Sequence, residues 1–221
     1  MSNFKLTKET VTAHNGETLY RIKAVKDFMN GNFNVSKGEL GGFVAKVENL
    51  SGNAWVSDNA RVFGDAQVSD NAQVSDNAWV YGDARVSGDA CVAANARVFG
   101  DARVAANAYV FGDARVVANA HVFGDAQVSG YANVSGYAHV SEHVITLDIV
   151  PFTATFYTDK VKGQVIQLGC TQFTVENFVE EVKKTSDYKD AKEFLTKKYI
   201  NKAIETILTV AELNTVKVKK G

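Results

Sequence analysis

The dominant pattern of the chain is an alanine that recurs at every sixth residue from Ala54 to Ala138. A valine lies two residues after each of these alanines, from Val56 to Val140, and neither series is interrupted. The three residues between a valine and the next alanine are mostly small or turn-forming, with many Gly, Asn, Asp and Ser. Because side chains of a strand alternate between its two faces, each alanine and its valine point the same way. Each hexad therefore predicts a short strand with a buried Ala-Val pair, followed by a corner.

A fixed period of six residues indicates a repeat architecture. An α-helix is excluded, because this period would spread the valines around a helix of 3.6 residues per turn. Three hexads make a triangular coil of 18 residues, and successive coils stack as parallel strands roughly 4.8 Å apart. We therefore predict a mainly β chain whose body is a parallel β-helix of about five coils.

The stretch that leads into the repeat contains Gly38-Glu39-Leu40-Gly41-Gly42-Phe43-Val44 and Asn49-Leu50-Ser51. Together with the hexads, it resembles the uncharacterised acyltransferase-like repeat proteins of bacteria and their phages, within the hexapeptide-repeat left-handed parallel β-helix proteins. The resemblance covers roughly residues 18–143. It implies the left-handed sense of the coil and a homotrimer in which coils pack side by side. It implies little about activity, because one fold hosts many functions.

We divide the chain into an N-terminal β cap (1–41), the β-helix (42–143) and a C-terminal strand and helix region (144–221). In the cap, Asn15-Gly16 between two β-rich runs predicts a hairpin, and Glu48-Asn49-Leu50 falls in the hexad frame. The C-terminal region predicts strands within 144–156 and 164–168 and helices over about 174–184 and 187–213. Both end regions are expected to cap the coil, whose open ends expose strand edges. The apolar side of the second helix packs on the coil or on a partner chain.

The residue between each alanine and its valine faces outward, and coils built from three hexads sort these residues into three vertical rows. The first face holds Trp55, Gln73, Cys91, Tyr109 and Gln127; the second holds Arg61, Trp79, Arg97, Arg115 and Asn133; the third holds Gln67, Arg85, Arg103, His121 and His139. The first face carries no charge, so we expect a terminal segment or another subunit to cover it at or beside Trp55 and Tyr109.

The other two faces hold every arginine of the repeat. The candidate binding residues are Arg61, Trp79, Arg97 and Arg115 on the second face and Arg85 and Arg103 on the third. Guanidinium groups bind carboxylates and phosphates and stack on aromatic rings. The alternative is a solvated surface whose positive charge is relieved by corner acids such as Asp65, Asp83 and Asp101.

His121 and His139 are the alternative catalytic residues. The resemblance implies this role, because acyltransferases of this fold use a histidine as general base with acetyl- or acyl-coenzyme A. However, no loop insertion interrupts residues 54–143, and no nucleotide or coenzyme motif is present. We therefore expect no cofactor and no metal, and we assign the corner Asp and Asn residues to turn geometry rather than to calcium binding. The favoured hypothesis is a non-enzymatic binding or scaffold protein, and the alternative is an acyltransferase acting at a trimer junction.

The amino-acid composition limits the kinds of partner and the cellular location that we expect. Residues 54–143 carry five arginines, no lysine and ten acids, a net charge of −5, so non-specific nucleic-acid binding is not expected. Cys91 and Cys170 make no disulfide framework, and no apolar run suggests a signal peptide or membrane span. We expect a cytoplasmic protein of a bacterial cell that binds a protein partner or itself, with a trimer favoured. The phage-like lead-in suggests a phage or prophage accessory product that acts on a host protein.

Overall fold

The computed structural model describes residues 2–141, 144–149, 152–159, 161–168, 171–174 and 177–178. The N-terminal strands are β1 (Phe4–Thr12), β2 (Thr18–Ala24), β3 (Phe28–Asn30), β4 (Phe33–Val35) and β5 (Leu40–Val44). Strands β1 and β2 form the antiparallel hairpin predicted at Asn15-Gly16, and β3 and β4 form a second hairpin. β5 pairs antiparallel with β2 and parallel with the first strand of the second face, so it joins the cap to the coil.

The coil consists of fifteen two-residue strands, one for each hexad. They are Trp55–Val56 (β6), Arg61–Val62 (β7), Gln67–Val68 (β8), Gln73–Val74 (β9), Trp79–Val80 (β10), Arg85–Val86 (β11), Cys91–Val92 (β12), Arg97–Val98 (β13), Arg103–Val104 (β14), Tyr109–Val110 (β15), Arg115–Val116 (β16), His121–Val122 (β17), Gln127–Val128 (β18), Asn133–Val134 (β19) and His139–Val140 (β20). Each strand from β6 to β17 pairs in parallel with the strand three hexads further on, as Trp55 does with Gln73 and Arg85 with Arg103. The predicted β-helix of about five coils is confirmed, with the three outward rows in the predicted registers.

The interior of the coil is a stack of alanine and valine side chains. Every repeat alanine and valine from Ala60 to Val140 is fully buried, and Ala54 is 3% exposed. Burial of a valine side chain contributes about 1.5–3 kcal/mol. The hexad core and the caps form one continuous hydrophobic cluster, which includes Ile22 from the N-terminal hairpin.

The corners turn through left-handed backbone conformations. The fifth residue of the hexads from Asp58 to Gly136 has a positive φ, and it is an aspartate or alanine at six corners, including Asp76 (58°) and Ala94 (57°). The Asp76 carboxylate accepts a hydrogen bond of 2.9 Å from the Ala94 backbone N–H in the next coil. Asp70 accepts one of 3.0 Å from Gly88 in the same way. These aspartates stabilise the turn and link adjacent coils, which is the turn role that the sequence predicts.

Two glycines allow the cap to close onto the first coil. A Cβ atom at Gly42 would lie 2.7 Å from the carbonyl oxygen of Ala60, and one at Gly41 would clash with the carbonyl oxygen of Val56. Both residues are buried within β5. Only a residue without a side chain fits where these backbones come together.

The hexad frame fails at Glu48, which occupies an alanine position but is exposed. A 3₁₀ helix, Val47–Asn49, replaces the expected strand and turns the Asn49 amide inward. Asn49 Nδ2 donates to the carbonyl oxygens of Gly64 (3.1 Å) and Ala66 (2.8 Å). The chain leaves the frame here because a buried carboxylate would have no compensating partner, whereas a buried amide satisfies carbonyls at the open end of the coil.

The C-terminal strands are β21 (Ile145–Ile149), β22 (Phe152–Asp159), β23 (Gly163–Leu168) and β24 (Thr171–Thr174). β22 pairs antiparallel with β20 through Val140 and Asp159, so this antiparallel sheet extends the sheet of the third face. Buried Tyr157 and Val165 join the coil core. The sheet therefore covers the C-terminal end of the coil, and β24 is a strand that the sequence pattern did not predict. The helices predicted over 174–184 and 187–213 lie outside the described residues, apart from the described positions 174, 177 and 178.

We predict that Gly42→Ala lowers the free energy of unfolding by about 1–3 kcal/mol, because the added methyl group overpacks the junction of cap and coil. Urea denaturation of the full chain measures the change.

The matched control is Gly16→Asn in the hairpin turn. Gly16 has a φ of 85° and no atom within 4 Å of a Cβ, and asparagine tolerates this conformation. If Gly42→Ala lowers the free energy of unfolding by no more than the control does, the result contradicts close packing at the junction of cap and coil.

Candidate functional site

The lower half of the second face is covered by the β1–β2 turn. The His14 ring stacks on the Trp79 ring at a centroid distance of 5.5 Å and an interplanar angle of 9°. The guanidinium carbons of Arg61 and Arg97 lie 5.3 Å and 4.9 Å from the Trp79 ring centroid. Arg61 also approaches the carbonyl oxygen of Thr12, at 3.5 Å. Arg61 and Trp79 are therefore engaged by the chain's own cap.

A column of aromatic rings holds this turn in place. Phe63, Tyr81 and Phe99 stack at one corner with centroid distances of 5.0 Å and 4.8 Å. His14 contacts Phe63 and Tyr81 edge-on, at 5.5 Å and 5.1 Å. Glu17 Oε2 accepts a hydrogen bond of 3.1 Å from the Gly64 N–H. The hexads predict the stacked column, but His14 lies in a hairpin turn and carries no periodic signal.

The upper half of the second face contains a shallow groove of about 310 Å³. It is lined by Asn77, Trp79, Asn95, Arg97, Asp113 and Arg115. Along one wall, the Asn77 amide approaches Asn95 at 3.5 Å, and the Asn95 amide donates to Asp113 at 3.2 Å. Along the other wall, Arg97 and Arg115 are exposed and pair in register on adjacent coils.

Within the described residues, no arginine of the coil forms an ion pair with a corner acid. Over the described ranges, the ion pairs are Arg21 with Glu9 and Lys46 with Asp65, and neither includes an arginine of the coil. Lys46 Nζ lies 2.6 Å from Asp65 Oδ1, so Asp65 serves the cap rather than Arg61. Asp65 therefore pairs with Lys46 of the cap, whereas relief of the arginine row by the corner acids stays a prediction.

The first face is covered at its lower end by the β3–β4 hairpin. Trp55 is 6% exposed and packs edge-on against Phe28 at 5.7 Å. The buried Asn30 amide donates to the carbonyl oxygens of Asn53 (2.7 Å) and Asn71 (2.9 Å), which anchors the hairpin to the corner. The chain itself therefore covers Trp55.

Further up the first face, Tyr109 is 46% exposed, whereas Cys91 is 9% exposed. A groove of about 450 Å³ runs between these residues and the tip of the β3–β4 hairpin. Burial, with a smaller effect of Asp76, raises the pKa of the Cys91 thiol. The thiol form is therefore favoured, and it is a poor nucleophile.

The third face brings the two candidate histidines together. The rings of His121 and His139 stack at a centroid distance of 4.8 Å and an interplanar angle of 5°. Burial, His139 and Arg103 all lower the pKa of His121, so its neutral form dominates at neutral pH. Arg85 and Arg103 lie below the histidines on the same face, and both are exposed.

A buried carboxylate joins the third face to the C-terminal sheet. Asp159 is 2% exposed, and its Oδ2 accepts a hydrogen bond of 2.7 Å from the His139 backbone N–H. Its Oδ1 accepts bonds of 2.8 Å from the N–H groups of Val161 and Lys162. Burial raises the pKa of Asp159, but the three N–H donors and the Lys162 charge outweigh burial, so the pKa is lowered.

Two further findings concern the kind of site present. Within the ranges that the structure describes, no three His, Cys, Asp or Glu side chains are grouped so that they could hold a metal ion. In the same ranges, no helix has the length and apolar character needed to cross a membrane.

Comparison with known proteins bears on the repeat alone. A family model described as the YdcK beta solenoid repeat matches residues 54–70, 66–82 and 72–88. These overlapping matches lie in the lower part of the coil, and they support a repeat β-helix protein. A search of curated proteins found no match.

We predict that Asp159→Asn lowers the melting temperature at neutral pH, because an amide cannot accept all three N–H bonds that the carboxylate accepts. The lowered pKa of Asp159 also contributes stability above its ordinary value of 3.8, and this contribution is lost as the pH falls through the folded-state value. Thermal melts at a series of acidic pH values should show a smaller loss of stability in the variant than in the natural chain.

Asp83→Asn serves as the control, because Asp83 is exposed on a corner of the coil. If Asp159→Asn and Asp83→Asn show the same pH dependence, Asp159 does not anchor the C-terminal sheet.

Proposed function

We propose that this chain is a non-enzymatic protein-binding scaffold whose recognition surface is the upper half of the second face. The observation that supports this most directly is the groove formed by Trp79, Arg97 and Arg115. Within the described residues, neither exposed guanidinium is held in an ion pair. Exposed arginines without an acidic partner can form bidentate bonds to an incoming carboxylate or phosphate.

The composition of the groove favours a protein partner. Arginine is enriched in binding hot spots between proteins, and the stacked coils present Arg97 and Arg115 on a rigid parallel sheet. The Trp79 ring beside them is already stacked by His14. Asp113 is engaged by the Asn95 amide, and the groove contains no histidine or lysine. The side chains that line the groove therefore include no histidine or lysine that could act as a general base.

The partner that fits this surface carries an acidic side chain or a phosphate. The likeness of the lead-in to repeat proteins of bacteria and their phages favours a phage or prophage accessory product and a host protein as its target. The remaining arginines, Arg85 and Arg103, belong to a different face and are not part of the groove.

We predict that Arg97→Glu combined with Arg115→Glu abolishes capture of the partner. The tagged full-length chain serves as bait in a lysate of the bacterial host, and mass spectrometry compares the captured proteins. Charge reversal places two carboxylates where the partner's anionic group would bind.

Arg85→Glu combined with Arg103→Glu is the matched control, because it reverses two arginines on adjacent coils of another face. Circular dichroism verifies that both variants fold. Retained capture by the Arg97 and Arg115 variant removes the second face from the proposed function.

The His121–His139 pair supports a second candidate, an acyltransferase that uses acetyl- or acyl-coenzyme A. The specific observation is the lowered pKa of His121, because a general base must be neutral to accept a proton. His139 lies on the next coil and would serve as an equivalent base.

If this second candidate is correct, acetyl-coenzyme A raises the melting temperature of the natural chain and has no effect on the double variant His121→Asn and His139→Asn. A thermal-shift titration to millimolar coenzyme measures both. An unchanged melting temperature of the natural chain excludes acetyl-coenzyme A as its cofactor under these conditions.

A further inference from the structure

We propose that the groove on the first face is a binding site for a neutral oligosaccharide. This groove of about 450 Å³ lies between the outward row of the first face, the corner beside that row and the tip of the β3–β4 hairpin. The corner contributes Asn71, Asp89 and Asn107, one from each coil, which we call the polar column. The first-face groove and the second-face groove share no lining residue.

The groove has the dimensions of a ligand site. Its volume lies within the range of roughly 300–1,000 Å³ that is typical of small-molecule sites. Cys91 pairs in register with Gln73 on the coil below and with Tyr109 on the coil above, so the floor rises by two coil steps of roughly 4.8 Å each. The length of one sugar ring in an extended oligosaccharide is close to one coil step. Successive sugar rings therefore meet successive members of the polar column.

Two exposed aromatic rings give the groove its apolar surface. Tyr109 is 46% exposed on the floor, and Phe33 is 60% exposed at the hairpin tip. The C–H groups on one side of a sugar ring pack well on the face of an aromatic ring. Burial and the Asp76 charge raise the pKa of the Cys91 thiol, whereas a hydrogen bond with the Tyr109 side chain lowers it. This hydrogen bond orients the Tyr109 ring before a ligand binds.

The polar column supplies hydrogen-bonding groups that are already held in position. Asn71 Nδ2 donates to Asp89 Oδ1 at 3.0 Å. Asn107 Nδ2 donates to Asp125 Oδ1 at 2.9 Å. Each of these amides keeps a second N–H donor and a carbonyl oxygen that its bond does not use. A sugar hydroxyl both donates and accepts, so it is matched by such an amide.

The charge of the groove disfavours an anionic ligand. Among the described residues that line it, none is a lysine, arginine or histidine, and Asp89 carries the only charge. A phosphate or carboxylate group would therefore meet a carboxylate there and no cation. The hydroxyl groups of a neutral sugar carry no such electrostatic cost.

The hairpin that closes one end of the groove is fixed to the coil. The buried Asn30 amide donates to the carbonyl oxygens of Asn53 and Asn71. A Cβ atom at Gly31 would lie 3.9 Å from side-chain atoms of Asn71 and Asp89, so the hairpin tip packs on the polar column. A site that is rigid before binding loses less conformational entropy when the ligand enters.

Isothermal titration calorimetry of the full chain with a panel of oligosaccharides tests the proposal. The neutral probes are linear oligomers of glucose, mannose, galactose, xylose and N-acetylglucosamine, and the anionic probe is an oligogalacturonate. We expect at least one neutral oligomer to bind at micromolar to millimolar concentration and the anionic probe not to bind. The proposal is overturned if no neutral oligomer binds at millimolar concentration, or if the anionic probe binds equally well.

Tyr109→Ala should raise the dissociation constant of the bound oligomer about fivefold or more, because the stacking surface is lost. Asn107→Ala should weaken binding through the loss of hydrogen bonds, whereas Tyr109→Phe keeps the ring and should retain binding. The matched control is Tyr131→Ala, because Tyr131 is 62% exposed on a different corner of the coil. Circular dichroism verifies the fold of each variant. Natural affinity in Tyr109→Ala overturns the proposal, as does an equal loss in Tyr131→Ala or in Tyr109→Phe.

The same variants separate this inference from the proposed function. Arg97→Glu with Arg115→Glu should leave oligosaccharide binding unchanged, because these arginines line the other groove. Tyr109→Ala should in turn leave partner capture unchanged. If no oligosaccharide binds and Tyr109→Ala abolishes capture of a protein, the first-face groove is a protein-binding site and the proposal is overturned.

Discussion

The structure depends on the hydrogen bonding of each coil to the next coil of the stack. The Arg97 N–H, for example, donates to the Ala114 carbonyl at 2.9 Å, and the Phe99 N–H donates to the Val116 carbonyl at 3.0 Å. Backbone groups removed from water must be paired, so every coil is fixed in height by its neighbours. Each side of every coil places one alanine and one valine in the interior, and the fifth hexad position has a positive φ even where that residue is Ala94.

The same constraint explains the caps. At each end of the stack, one coil has backbone groups with no further coil to pair with. Buried polar side chains meet this need: the Asn49 amide bonds to two carbonyls at the lower end, and the Asp159 carboxylate accepts a backbone N–H at the upper end. Antiparallel strands complete the closure at both ends. The caps are therefore required by the coil and also determine which parts of its surface stay open.

The repeat could be predicted from the sequence because its six-residue period is unbroken in the order of the residues. The period determines which way each side chain faces and which strands pair, so the three outward rows follow directly from it. Burial of Trp55 and engagement of Trp79 could not be predicted, because they depend on where Phe28 and His14 lie after folding. The candidate site divides in the same way: the Arg97–Arg115 pair follows from the period, whereas the groove beside it depends on the orientations of the Asn95 and Asp113 side chains.

The period also limits how the length of this chain can change in evolution. Loss of one whole coil, which is three hexads, would shorten the rod and keep every later residue on its original face. Loss of a single hexad would keep every alanine and valine buried, yet it would move all later outward residues to an adjacent face. The arginine at 115 would then no longer lie above the arginine at 97. Both deletions leave the core intact, but they differ in their effect on the surface. Only the loss of whole coils keeps the outward residues on their original faces.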